Sequence, residues 1–270
     1  MSSERARAAL ATSASHQPQT ATQVAVAGTA FVADPAGALY WPEQRLLAVA
    51  DLHLEKGSSF AARGVLLPPY DTAATLMRLA RLIAHYAPRL VVALGDSFHD
   101  RDGPARIADA DRAMLRALQR GREWVWIAGN HDPEPAAGIG GSFCDAFSCD
   151  PVVFRHAPRT GAFFGKSLPA AGAATGLPKK MRPESSEFDG EIAGHLHPVA
   201  RVVQRGRTTS RRCFAGDGRR LVMPAFGAYT GGLNVRDRAF ADVFGTLSFT
   251  AHMLGERGLY AIAARRCLAD

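Results

Sequence analysis

The chain has 270 residues, 47% hydrophobic and 21% charged, a balance that fits one large globular domain or two small ones and excludes a disordered or fibrous chain. At this length roughly three quarters of the unfolded surface can be buried, so no disulfide or structural metal is needed to hold the fold, and any metal site is read as functional. No apolar run reaches the ~18 residues that cross a bilayer, which excludes a membrane-spanning helix. Lys and Arg number 32 against 25 Asp and Glu, a formal charge of +7, and among the cations only Lys56, Lys166, Lys179 and Lys180 are not arginine. The guanidinium fork matches phosphate oxygens, so this surface favours phosphate-bearing partners, although a genome-wide preference for Arg leaves the same trace. Cys144, Cys149, Cys213 and Cys267 form no C-x-x-C pair, which fits free thiols in a reducing, cytoplasmic compartment.

Residues 1–23 are rich in Ala, Ser, Thr and Gln and lack the apolar block of a secretory signal, so a disordered extension is expected there, with 24–270 as a single domain. Strands are expected over Val24–Val32, Ala38–Trp41 and Arg45–Ala50, the last running into Asp51-Leu52-His53. Leu76, Leu79, Ala80 and Ile83 recur at helical spacing, with Asp71 or Thr72 as the expected N-cap and Pro88 closing the helix. A strand over Arg89–Leu94 ends in Gly95-Asp96, a helix follows over Ala105–Arg120, and a strand over Glu123–Ala128 ends in Gly129-Asn130-His131-Asp132. Such alternation implies parallel strands with helical crossovers and a ligand site at their carboxyl ends.

Beyond Pro133 the segments shorten, which suggests a second, more antiparallel sheet: Val152–Arg155 ending at His156, Glu191–Ala193 ending in Gly194-His195-Leu196-His197, then Val199–Val203 and Arg220–Met223. Between them, 165–188 is rich in Ala, Gly, Pro and Ser, the composition of a mobile loop.

Five segments hold most of the chemically capable side chains: Asp51-x-His53, Gly95-Asp96-x-x-His99-Asp100, Gly129-Asn130-His131-Asp132, His156, and Gly194-His195-x-His197. Each follows an expected strand, and residues two apart on a strand point the same way. Imidazole with carboxylate suits Mn, Fe or Zn, and the Asn carbonyl biases the set toward harder ions. Asp51, His53, Asp96, Asn130, His156, His195 and His197 are too many ligands for one ion and fit two divalent ions sharing a carboxylate. His99 and Asp100 are expected to hydrogen-bond the ligands from outside the coordination sphere. His85 and His252 stand apart and read as structural, and His16 lies in the extension.

The ordered set D-x-H, G-D-x-x, G-N-H-D, a lone His and G-H-x-H resembles the calcineurin-like metallophosphoesterase superfamily. The strings ADLHLEKGSSFAARGVLLPPYDT (50–72), LGDSFHD (94–100) and MPAFGAYTGGLNV (223–235) resemble the ligase-associated DNA damage response endonuclease family, PdeM. The resemblance implies an α/β fold, a four-layer α-β-β-α sandwich with mixed sheets. It implies one metal on Asp51, His53, Asp96 and His197, and a second on Asp96, Asn130, His156 and His195, with manganese expected first. It also implies His131 as proton donor or charge stabiliser beside the scissile phosphate, a metal-dependent phosphodiesterase or nuclease activity in bacterial DNA repair, and association with a DNA ligase or helicase. His156 departs from the pattern in lacking a preceding glycine.

Arg201, Arg205, Arg207, Arg211, Arg212, Arg219 and Arg220 could form a basic rim for a polynucleotide backbone or equally a charge-protected hairpin edge. Arg63 and Arg101 are further candidates for phosphate contact. Neither a helix-turn-helix nor a zinc finger is visible, so any DNA contact is expected to be independent of sequence. A small-molecule phosphatase or nucleotide phosphodiesterase and a non-catalytic scaffold are the alternatives. The sequence does not specify an oligomeric state.

Overall fold

In the computed structural model, which describes residues 21–134, 138–160 and 188–270, two mixed β-sheets pack face to face and carry helices on their outer sides. The first sheet holds β1 (Thr22–Val26), β2 (Thr29–Ala33), β3 (Leu39–Trp41), β4 (Leu46–Val49), β5 (Leu90–Ala93), β6 (Glu123–Ile127) and β7 (Ser142–Cys144), side by side in chain order. Pairing is antiparallel from β1 to β4 and parallel from β4 to β7. The strand expected over Val24–Val32 is two strands, because Ala27 and Gly28, at φ 50 and 75, form a two-residue reversal whose twist suits a hairpin. β1 starts at Thr22, ahead of the expected domain boundary, and the rest of the extension lies outside the described residues apart from Ala21.

The crossovers after β4 and β5 carry α1 (Lys56–Ala61), α2 (Asp71–Tyr86), α3 (Gly103–Arg106) and α4 (Asp109–Gln119). The single helix expected over 105–120 is broken where Ile107 and Ala108 turn extended, which drops the Ile107 side chain into the core. Asp71 is the first residue of α2, not its cap: its carboxylate accepts the Gly57 N–H at 3.1 Å, and Thr72 Oγ1 accepts the Glu55 N–H at 2.9 Å, so both tie α2 to the start of α1.

The second sheet contains β8 (Ala146–Cys149), β9 (Val152–Arg155), β10 (Gly190–Ala193), β11 (Pro198–Gln204), β12 (Arg207–Gly216), β13 (Arg220–Val222), β14 (Leu233–Asn234), β15 (Thr250–Gly255) and β16 (Gly258–Ala263), with α5 (Arg238–Phe244) between β14 and β15. Its centre, β9-β10-β13, is parallel, while the pairings β8-β9, β11-β12, β12-β13, β12-β15 and β15-β16 are antiparallel, so it is the more antiparallel of the two sheets, as expected. The expected mobile loop over 165–188 lies outside the described residues except Phe188, which is buried against Val153.

Strand alternation sets the layers. Leu46, Ala48 and Ala50 face inward and pack with Val92, Val125, Phe154, Ile192 and Phe214 between the sheets. Leu47 and Val49 face outward against Leu76, Leu79 and Ile83 of α2 and Leu115 and Leu118 of α4. On the other side Ala215, Val222 and Ala251 pack under Phe240 and Val243 of α5, completing the α-β-β-α order. Each buried Leu, Val, Ile or Phe contributes about 1.5–3 kcal/mol against about 0–1 for an exposed ion pair, so apolar packing fixes where the strand ends lie. Among the described residues no helix is long and apolar enough to cross a membrane, and the four cysteines are free and buried.

His252 on β15 is half-buried with an unpartnered Nδ1, and burial lowers its pKa below the usual 6.5. The unfolded chain therefore takes up a proton that the folded one resists, and the neutral ring's contribution to stability is present above pH ~6.5 and lost as pH falls below it. His252→Gln is expected to flatten the pH dependence of the urea midpoint between pH 7.5 and 5.5; an unchanged slope contradicts this.

Candidate metal centre

The loops leaving β4 and β5 run side by side: the Asp51 N–H donates to Gly95 O at 3.3 Å, His53 N–H to Asp96 O at 2.9 Å and Leu54 N–H to Ser97 O at 2.9 Å. That alignment requires unusual backbone. Asp51, His53, Asp96, His195 and His197 all have positive φ, at 52, 43, 45, 68 and 45°. The region costs an L-residue roughly 1–2 kcal/mol, and Asp, Asn and His visit it more readily than other non-glycine residues. From the second sheet, the Gly194 N–H donates to His156 O at 2.9 Å, and the His195 N–H meets both Asp51 carboxylate oxygens at 3.2 and 3.0 Å. Asp51 thus joins the loop ends of the two sheets.

Two glycines follow from this crowding. A Cβ on Gly194 would stand 2.6 Å from Asp51 Oδ2, and one on Gly129 would collide with Asp96, so both positions require the absence of a side chain.

Among the described residues, potential donor atoms gather in three groups, each mutually within 4.8 Å: Asp51, His53 and His197; Asp96, His156 and His195; and His53, His99 and His131, the first and third sharing His53. His53 Nε2 is 3.4 Å from His197 Nε2, which is 3.3 Å from Asp51 Oδ1. His156 Nε2 is 3.1 Å from His195 Nδ1 and 3.4 Å from Asp96 Oδ1, and Asp96 Oδ2 stands 3.9 Å from His53 Nε2. Asp96 therefore lies between the first two groups.

His156 Nδ1 is 3.0 Å from Leu94 O, which can only accept, so the ring proton sits there and the Nε2 lone pair faces a carboxylate oxygen. Buried Asp96, His156 and His53 bring oxygen and nitrogen donors to one place, a set that fits divalent cations. Burial, then the neighbouring His197, His131, His99 and Lys56, holds the His53 pKa down at about 2; burial, helped by Lys56 and His131, lowers that of His99 to about 4. His195 is also lowered, first by burial and then by His156. These rings stay neutral, the form that binds metal.

Asn130 is exposed between Gly129 and His131, whose backbone N–H donates to Asp96 Oδ1 at 2.9 Å. The His131 side chain is 44% exposed; its Nδ1 lies 2.6 Å from His99 O, and its Nε2 lies 3.9 Å from Asp96 Oδ2. His99 also stacks on His131 at 5.4 Å. The expectation for Asp100 is corrected: its carboxylate is taken up by the Arg106 guanidinium at 2.7 and 2.8 Å, not by a ligand imidazole. Arg63 is exposed and lies over the Phe60 ring at 4.6 Å, and Phe60 packs against His99, so it borders the site. Arg101 is exposed in the turn before α3 and is not brought to the donor atoms by any described contact.

Several contributors escaped the sequence reading. Buried Asp132 accepts the Ser97 and Phe98 N–H groups at 2.7 and 3.1 Å and pins the turn after Asp96; burial raises its pKa to about 7. Its place as the last residue of Gly-Asn-His-Asp was the available signal. The 224–232 segment lies against the first motif, with the Phe226 N–H on Ala50 O at 2.8 Å and the Gly227 N–H on Asp51 O at 3.1 Å. Arg78 donates to Phe226 O, and Arg212 to Ala225 O and Thr230 O, so Arg212 braces this segment and is not a rim residue. Arg220 is likewise buried, donating to Val243 O, and Arg201 pairs with Asp270. Lys56 Nζ reaches Tyr229 O at 3.0 Å.

Among solved structures, the chain is similar to the Pseudomonas putida nuclease MPE, with 26% identity, a TM-score of 0.62, and coverage of 90% of this chain and 100% of that one. It also aligns with Yfce, a phosphoesterase from E. coli, at 15% identity and a TM-score of 0.37 over 81% of this chain and 98% of that one. No curated protein matches. The sequence profile of the calcineurin-like phosphoesterase family matches residues 44–199, more than half of the chain and all of the motifs that form the site, and the chain belongs to that family.

Proposed function

We propose that this phosphoesterase is a metal-dependent phosphodiesterase that cuts DNA at a two-metal centre. The observation that carries the reading is the pair of donor groups, Asp51-His53-His197 and Asp96-His156-His195, with Asp96 between them. Asp51, His53, Asp96 and His197 would hold one ion, and Asp96, Asn130, His156 and His195 the other. The mixed imidazole and oxygen set suits manganese. Bound divalent cations supply neutralisation of the phosphate charge and a nucleophilic water near neutral pH.

The chain's own groups supply the rest. His131 has Nδ1 fixed on the His99 carbonyl, so Nε2 is the atom that faces the reacting phosphate. When protonated there, it donates to the leaving oxygen or to the charge developing on phosphorus. Asp51 and Asp96 are buried, which keeps competing water from their oxygens and fixes them before substrate arrives. DNA as substrate is supported by the likeness to a protein titled a nuclease and by the Arg-rich surface; a role in DNA repair rests on the three strings resembling the PdeM family.

Chelator-treated protein is expected to lose cleavage of closed circular DNA and to regain nicking with added manganese. Full activity after stripping contradicts the metal mechanism, and hydrolysis of nucleotides with closed circles left intact contradicts the DNA substrate. His131→Ala is expected to keep its metal content and lose about a hundredfold or more in rate. Parallel loss of metal would make His131 a ligand. Gly194→Ala, which pushes Asp51 aside, is expected to fold, as circular dichroism would show, and to bind metal about 10–100-fold more weakly; unchanged affinity contradicts the role given to Asp51.

A further inference from the structure

β12 serves two hairpins. Over Arg207–Arg212 it pairs with β11, whereas over Cys213–Gly216 it pairs with β15, which continues with β16 as its partner out to Gly255 and Gly258. Past Cys213 the β11–β12 ribbon and the β15–β16 ribbon part and leave an open groove of about 930 Å³ between them. Arg205 and Arg211 line one wall, Arg257 and Arg266 the other, with Glu256 the one acid in the lining. All four arginines are exposed, and none has an ion-pair partner among the described residues. Between them Tyr260 is 55% exposed and Val203 58%, an unusual exposure for an aromatic ring and a β-branched side chain on a sheet.

We infer that this groove is an exosite for the phosphate backbone of a nucleic-acid strand that continues beyond the metal centre, an inference that rests on the DNA-cutting reading above. Charge selects the occupant. Four guanidiniums facing one carboxylate complement a polyanion, while a second copy of the chain placed on the same groove about a two-fold axis would set like charges against each other. Tyr260 offers a flat face for a base or sugar, so aromatic and cation together match the surfaces that track a polynucleotide without reading its sequence. Position selects the use. β11 begins directly after His197 and ends at Gln204, so Arg205 lies eight residues on and the groove about 26 Å along the strand from the donor atoms at ~3.3 Å per residue. A dinucleotide at the metals would not reach it, whereas an oligonucleotide of about ten nucleotides would.

The test is a full-length variant with Arg205, Arg211, Arg257 and Arg266 all changed to Gln, compared with wild type by anisotropy of a labelled ten-nucleotide DNA across a salt series, in chelator so that nothing is cut. The expected result is binding weakened about tenfold or more, with the slope of log affinity against log salt smaller in magnitude by about 3. Affinity for a dinucleotide and manganese-dependent hydrolysis of bis(p-nitrophenyl) phosphate should stay at the wild-type level, the latter showing that the variant is folded. If the variant loses that hydrolysis, the pair Arg257→Gln and Arg266→Gln is read alone, with about half the loss of slope expected. Equal slopes and affinities overturn the exosite, as does a wild type that binds no oligonucleotide or whose dimerisation depends on these arginines. A wild type that binds with the predicted slope but does not cut DNA leaves the exosite standing and removes the nuclease reading instead.

Discussion

The structure turns on a local electrostatic conflict. Carboxylate oxygens and imidazole nitrogens from both sheets gather in groups of three, each mutually within 4.8 Å, and lone pairs held so close repel unless positive charge lies between them. The rest of the fold serves to keep them there. Five of the residues involved have left-handed backbone, each at a cost of roughly 1–2 kcal/mol, and the cost is offset by the apolar core on either side of the strand ends. Mobile donors would relieve the repulsion by turning away to solvent. Donors fixed by a ladder of backbone hydrogen bonds can relieve it only by taking up positive charge.

Asp51 and Asp96 each do two things in this arrangement. Asp51 offers an oxygen to His197 and accepts the His195 N–H, which couples the first sheet to the second. Asp96 lies between the two donor groups while accepting the His131 N–H, which sets the distance from the donor atoms to the His131 ring. The rings beyond them are ordered by carbonyls: Leu94 orients His156, and His99 orients His131. Small shifts in these turns therefore move the donor atoms and the His131 ring together.

The clustering of Asp51, His53, Asp96, His156, His195 and His197 could be read from the sequence because each follows a strand and several lie in short motifs with a glycine, so that strand direction and alternation alone predict convergence. Gly129 and Gly194 stand in those motifs because Asp96 and Asp51 occupy the space of a side chain. What escaped depends on pairing between distant segments. Arg211 and Arg212 are neighbours in sequence, yet cross-strand packing sends one to a groove wall and the other inward to the carbonyls of Ala225 and Thr230. Asp100 resembled a ligand's partner until α3 brought Arg106 against it. The strands β7, β8 and β14 are too short to mark themselves locally, whereas the alternation over Thr250–Met253 and the apolar run Leu259–Ala263 were available signals for β15 and β16 that went unused, and the second wall of the basic groove went unseen with them.

In the proposed two-metal centre Asp96 would bridge the cations. Electron paramagnetic resonance of the manganese-loaded protein, titrated from one to two equivalents, is then expected to show an exchange-coupled pair in the wild type that Asp96→Asn abolishes. A wild type that saturates at one equivalent with an isolated manganese spectrum would contradict it.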